Sequence, residues 1–222
     1  MSDFDSKYRQ RLLALSTTNI ADALDALGLK GATCGIRPMW EAAPRITGRA
    51  VTLKLTAAGL TKGKNHLGVM AIETAAKGDI IVIDNAGRMD TSCWGGILAN
   101  GAKTKGISGI VVDGCVRDLD DIMQADFPAY ARGTVVATAR GRIMEESTNA
   151  MIQFGGIQVR PGDVILADRS GVVVIPQEEL DRVLDKAEEF YAKEEAMVAE
   201  ILSGKSMLEV DNKFNYEKML QK

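Results

Sequence analysis

The stretch from His66 to Gly114 restricts the fold more than any other part of the chain. "DIIVID" (79–84) and "ISGIVVDG" (107–114) are apolar runs of strand length. Between them "WGGILANGAKTKG" (94–106) has helical spacing and ends on glycine, and "HLGVMAIETAAKG" (66–78) reads as a helix stopped by Gly78. Buried strands alternating with helices predict parallel βαβ units.

The flanks extend this pattern. Residues 6–27 read as helical: "STTNIADALDALG" (16–28) supplies Ser, Thr and Asn caps, then Ile20, Leu24 and Leu27, with Gly28 as terminator. "RAVTLKLT" (49–56) alternates as a half-buried strand. Behind the parallel core, "VRDLDDIMQAD" (116–126) reads as a short helix and "FPAYARG" (127–133) as an extended segment. "GGIQVRPGDVILADRSGVVVIP" (155–176) holds three short β-runs punctuated by Pro161-Gly162 and Ser170-Gly171, so it reads as antiparallel. After Pro176 comes one long helix, 177–203, ended by Ser203-Gly204. The expectation is one α/β domain over 1–222, with a core at about 6–176, a C-terminal helical arm at 177–203 and a tail at 204–222. Large apolar residues are sparse on the arm, which leaves two readings: it lies across its own domain or packs on a neighbouring subunit.

With 222 residues the chain is long enough to bury a core. Its 46% hydrophobic and 26% charged residues fit a soluble globular protein. The net charge of −3, with no Lys/Arg cluster, gives no reason to expect nucleic acid as a partner. No apolar run approaches about 18 residues and the start "MSDFDSKYRQR" is polar, so neither a membrane span nor a signal peptide is expected. Three cysteines, an odd number without a CxxC pair, point to a reduced, cytoplasmic setting. The single histidine, His66, rules out a site built on two or three His ligands within one chain. A metal here would take oxygen ligands, which favours Mg²⁺ or Mn²⁺.

Two stretches carry chemistry. "DGCVRD" (113–118) follows an apolar strand, where ligands bind in open α/β sheets. Arg117 offers a planar fork for a carboxylate, and Asp118 a hard oxygen for a metal. Alone the pair also reads as a surface ion pair at a helix start. "WGGIL" (94–98) opens a helix with two glycines, which lets backbone N–H groups come close to an anion. Both stretches flank strands expected to be neighbours, so together they form a coherent 2-oxo acid site.

"WGGILANGAKTKGISGIVVDGCVRDLDDIMQADFPAYARG" (94–133) resembles the central signature of the 4-hydroxy-4-methyl-2-oxoglutarate / 4-carboxy-4-hydroxy-2-oxoadipate aldolase family. That family also contains RraA-like regulators of ribonuclease E and proteins once labelled dimethylmenaquinone methyltransferases. The likeness extends to "TTNIADALDALG" (17–28), "KGDIIVID" (77–84) and residues 155–176. It implies a swivelling α/β/β-type fold, a homotrimer or homohexamer with sites at subunit interfaces, and a divalent-metal pyruvate aldolase with oxaloacetate decarboxylase activity. Carried over, Gly95, Gly96, Ile97 and Leu98 bind the pyruvyl carboxylate through their amides. Arg117 holds substrate and stabilises the enolate, and Asp118 anchors the metal. The alternatives are a related enzyme on another 2-oxo or hydroxy acid, or a non-catalytic ribonuclease E regulator.

One position departs from the family pattern. The enzymatic members resemble a pattern with an Asp twenty-one positions before the Arg, and here that position is Gly96. Asp90, Asp113, Asp121, Glu145 and Glu146 are candidates to compensate. Glu194 or Glu195 corresponds to the acidic residue that the family donates from a neighbouring C-terminal helix. His66 reads either as an acid–base group or as a cap or surface residue. Cys115 has no base nearby in sequence, Cys34 and Cys93 read as packing residues, and Trp94 lines the pocket or anchors its helix.

Overall fold

The computed structural model describes residues 3–61, 63 and 66–215, so 216–222 of the expected tail lie outside the described residues. In chain order the elements are α1 (Asp3–Lys7), α2 (Arg9–Ala14), α3 (Thr17–Ala26), β1 (Arg37–Pro38), β2 (Ile46–Ala57), α4 (Val69–Thr74), β3 (Ile80–Trp94), α5 (Gly96–Lys105) and β4 (Gly109–Val116). There follow α6 (Leu119–Gln124), β5 (Ala129–Ala131), β6 (Gly133–Thr134), β7 (Ile143–Thr148), β8 (Ile152–Phe154), β9 (Ile157–Val159), β10 (Val164–Asp168), β11 (Gly171–Ile175), α7 (Leu180–Leu202) and α8 (Met207–Phe214).

The parallel core is as expected. β2, β3, β4 and β5 pair side by side in parallel, with Ala50 opposite Ile80, Ile80 opposite Gly109 and Ile110 opposite Ala129. β10 and β11 extend the sheet antiparallel beyond β2. The apolar runs have no solvent-facing side because both faces are covered. Ile81, Ile83, Ile110 and Val112 pack on one face with Ala71 of α4, Ala99 and Ala102 of α5 and Ile122 of α6. On the other face Ile80, Val82 and Val111 pack with Phe154 of β8, Ile165 of β10 and Val174 of β11. Helices therefore lie on one side of the parallel strands and a β layer on the other. A further cluster joins β10 and β11 to Leu12, Leu24, Leu184 and Phe190 from α2, α3 and α7.

Three expectations shift, each for a local reason. The helix expected over 6–27 is three pieces, because Ser16 starts a new one. Its hydroxyl accepts from Asn19 N at 3.0 Å while Asn19 Oδ1 accepts from Ser16 N at 3.1 Å, a capping box. The helix expected over 66–78 spans only Val69–Thr74. Gly68 at φ 82 lies outside helical space and Ala75 turns extended, so His66 sits ahead of the helix rather than on it. The strand expected over 79–84 runs on to Trp94. Register shifts against β4 at Asp84/Arg88, Arg88/Ser92 and Ser92/Trp94 bulge the polar stretch "NAGRMD" out of the ladder, with Arg88 as its one residue opposite β4.

The C-terminal helix starts three residues later than its expected start and ends within one residue of its expected end. It lies across its own domain: Leu180, Val183, Leu184, Ala187 and Phe190 are buried in the chain's own core. Its exposed large apolar residues are Tyr191, Val198 and Leu202, the last 82% exposed. Replacing Phe190, which is 1% exposed, with Ala is expected to cost about 3–5 kcal/mol in chemical denaturation. A loss under about 1 kcal/mol would show that the helix does not dock on this core. Among the described residues, no helix is long and apolar enough to cross a membrane.

Candidate active site

The ends of β3 and β4 meet where the two signature stretches were expected to converge. Arg117 N donates to Trp94 O at 2.9 Å, tying the two strand ends together. Asp118 then takes a left-handed backbone conformation, φ 55 and ψ 44, which a non-glycine residue rarely adopts. This turn brings its carboxylate to the start of α5. Gly96 N donates to Asp118 Oδ2 at 3.2 Å, and Arg117 Nε lies 3.5 Å from the same oxygen. Both side chains are half-exposed, so the ion pair itself contributes little to stability.

The two glycines are required by close approach. A Cβ at Gly95 would stand 2.6 Å from Asp118 Oδ2 and 3.4 Å from Arg117 Cγ. A Cβ at Gly96 would stand 2.7 Å from Asp121 Cβ and 2.8 Å from Asp121 Oδ2. Gly95 caps α5 in extended backbone and Gly96 is its first residue, so the amides of 96–98 lack carbonyl partners within the helix. Ile97 is exposed at the cleft and Leu98 is buried beneath it. All six expected site residues, Gly95, Gly96, Ile97, Leu98, Arg117 and Asp118, thus lie on two adjoining turns.

The five candidates for the carboxylate absent at Gly96 lie in different surroundings. Asp90 pairs with Arg88 at 3.1 Å. Asp113 is buried against Arg132 and accepts from Gly155 N at 2.8 Å. Glu146 pairs with Lys54 at 2.9 Å, and Glu145 accepts from Thr148 Oγ1 at 2.7 Å. Asp121 alone among the five has its carboxylate against Gly96, filling the space a side chain there would take. Glu194 Oε2 accepts from Asn19 Nδ2 of its own chain at 2.7 Å. Among the described residues, no three His, Cys, Asp or Glu side chains converge on one point.

The remaining candidates separate cleanly. Trp94 does both things expected of it: it lines the cleft and is buried in stacked contact with Phe127, ring centroids 6.4 Å apart. His66 also lines the cleft. Cys93 and Cys115 are buried, and burial pushes both thiols up, so neither is a ready nucleophile. Cys34 is exposed, which corrects its reading as a packing residue: its segment runs along the surface. The sequence reading missed the far wall of the cleft, formed by Leu67, Thr138, Ala139 and Arg140. No spacing connects that segment to "DGCVRD"; only the extension of β3 does.

A family model described as RraA-like, Aldolase/RraA, matches residues 17–174. The chain belongs to the RraA-like family. A protein of Halalkalibacterium halodurans, provisionally named 4-hydroxy-4-methyl-2-oxoglutarate aldolase, is 37% identical over 87% of this chain and 86% of its own length. Protein DlpA of Legionella pneumophila is 31% identical over 97% of this chain, which spans only 35% of that longer protein. The crystal structure of Streptomyces coelicolor RraAS2, titled an unusual member of the RNase ES inhibitor RraA protein family, superposes with a TM-score of 0.81. It is 26% identical, covering 88% of this chain and 98% of that one. The RraA-like chain has the swivelling α/β/β fold with a long C-terminal helix, as the resemblance implied.

Proposed function

We propose that this RraA-like protein is a lyase that cleaves a 4-hydroxy-2-oxo acid to pyruvate by a retro-aldol reaction, with oxaloacetate decarboxylation as a side activity. The observation that carries this reading is the meeting of Arg117 and Asp118 with the opening turn of α5 at one cleft, with Asp121 standing against Gly96. The names of the relatives point the same way.

The pyruvyl carboxylate lies against the amides of Gly95–Leu98, where the helix start favours negative charge. Loss of the C4 hydroxyl proton breaks the C3–C4 bond. C4 leaves as a carbonyl, and the bonding electrons pass to the pyruvyl fragment as an enolate. Arg117 stabilises the charge that develops there, an effect strongest in the transition state. Protonation at C3 releases pyruvate. With oxaloacetate the same enolate forms as carbon dioxide departs. Water in the open cleft serves both proton transfers.

The donor set fits a hard divalent cation. Asp118 and Asp121 both stand against Gly96, and Mg²⁺ or Mn²⁺ keeps most of its waters and needs only one or two carboxylates. Bound there, the ion would polarise the keto oxygen as a Lewis acid. Asp121 thereby takes over the part expected of an Asp at position 96.

The proposal includes a homotrimer or homohexamer. Ile97 (84% exposed) and Val136 (94% exposed) leave apolar surface beside Arg117 and Asp118 that a second subunit would cover. Pyruvate release from 4-hydroxy-4-methyl-2-oxoglutarate and from oxaloacetate, followed with Mg²⁺ and then with excess EDTA, tests the reading. Turnover with Mg²⁺ and loss with EDTA are expected; no turnover of either compound would refute the standard activity. Gly96 and the likeness to RraAS2 favour the second reading, a ribonuclease regulator, and co-precipitation with ribonuclease E by an inactive chain would establish it.

A further inference from the structure

The cleft holds a second cation that the mechanism leaves unused. Arg140 shares the cleft with Arg117, and each also lines a different neighbouring recess. Arg117 and Asp118 continue into a neighbouring recess lined by Thr134, Val135 and Val136. Arg140 and His66 continue into a separate recess lined by Ile143, Met144 and Glu145. The cleft thus joins the opening turn of α5 to Arg140.

Arg140 is also held in place. The segment before it is pinned to the outer part of β3: Ser92 N and Ser92 Oγ donate to Ala137 O at 3.0 and 2.8 Å, and Thr91 Oγ1 donates to Thr138 O at 3.1 Å. Arg142 Nη1 donates to the same Thr138 carbonyl at 3.2 Å, and Arg140 N donates to Thr138 Oγ1 at 3.4 Å. Its guanidinium has no carboxylate within 4 Å among the described residues. A fixed turn thus carries an unpaired guanidinium, a fork matched to a carboxylate, on the wall of the cleft.

We propose that Arg140 is the specificity-determining residue for the substrate's distal half, receiving a carboxylate carried beyond C3. This rests on the reading of the cleft as a 2-oxo acid site and deepens it: the substrate has an anionic group at each end. Binding there lies away from the bond that breaks, so it selects and orients the substrate and leaves the charge of the enolate to Arg117.

Two stable probes test this by calorimetry on the Mg²⁺-loaded protein. Pyruvate has only the proximal carboxylate. 2-Oxoglutarate adds a distal one and, lacking a 4-hydroxyl, cannot undergo the retro-aldol reaction. The wild-type protein is expected to bind 2-oxoglutarate about tenfold more tightly than pyruvate. Arg140→Ala is expected to bring that ratio close to one, and Arg140→Lys, which keeps the charge but not the fork, to leave an intermediate preference. An unchanged ratio in Arg140→Ala, in protein that still cleaves substrate, would overturn the Arg140 assignment alone. Wild-type protein that bound neither probe would overturn the lyase reading together with it.

Discussion

Arg117→Ala is expected to lower kcat/KM for pyruvate release by about 10²–10³-fold while leaving the fold intact. The magnitude follows from the role: a donor aimed at developing charge in a partly enclosed site contributes far more to the transition state than to the ground state. The stability effect is small because the side chain is half-exposed and its ion pair with Asp118, at 3.5 Å, is the weak surface kind. The backbone bond from Arg117 N to Trp94 O, which joins the strand ends, survives the substitution. Arg117→Lys keeps the charge without the two-pronged donor and should recover only part of the rate. Steady-state kinetics and thermal unfolding on the same preparations separate the two effects. Activity within about threefold of wild type in Arg117→Ala would remove Arg117 from the mechanism.

The second large effect concerns Gly96. Restoring the Asp that related enzymes resemble at this position should damage the site rather than improve it. Its Cβ would lie 2.7 Å from Asp121 Cβ and 2.8 Å from Asp121 Oδ2, adding a steric clash and a like charge. Gly96→Asp is expected to destabilise the protein by about 1–3 kcal/mol and to weaken Mn²⁺ binding at least about tenfold. Combining Gly96→Asp with Asp121→Gly vacates the space and should restore both properties in large part, a coupling expected of residues in direct contact. Calorimetric Mn²⁺ titration of the two single variants and the double variant gives the answer. Tighter Mn²⁺ binding in Gly96→Asp alone would show that Asp121 does not occupy that role.

Much of this was legible from local pattern. The arm after Pro176 is recoverable because Pro176 and Gly204 bracket an unbroken helical composition, and the two buried strands because short β-branched apolar runs bounded by glycine suit strands covered on both faces. The helix expected over 66–78 is longer than the one formed because nothing in the local sequence shows that Gly68 adopts φ 82. β3 runs further than its sequence shows because "NAGRMD" has loop composition, and the strand passes through it by bulging past β4 at three register shifts. That same extension carries Ser92 and Trp94 to the cleft and pins the turn bearing Arg140, so the far wall was invisible for the same reason. Gly95, Gly96, Arg117 and Asp118 were readable as two turns at neighbouring strand ends. The choice of Asp121 over Asp90, Asp113, Glu145 and Glu146 was not, since it rests on which carboxylate touches Gly96 in space.

In the proposed mechanism the amide start of α5 and Arg117 hold a pyruvyl carboxylate beside Asp118 and Asp121. A crystal structure of the protein soaked with Mg²⁺ and pyruvate tests it most directly. The pyruvate carboxylate is expected on the amides of residues 95–98, Arg117 within hydrogen-bonding distance of the ligand, and the ion held by Asp118 and Asp121. Pyruvate bound away from this cleft, or an ion held by neither carboxylate, would contradict it.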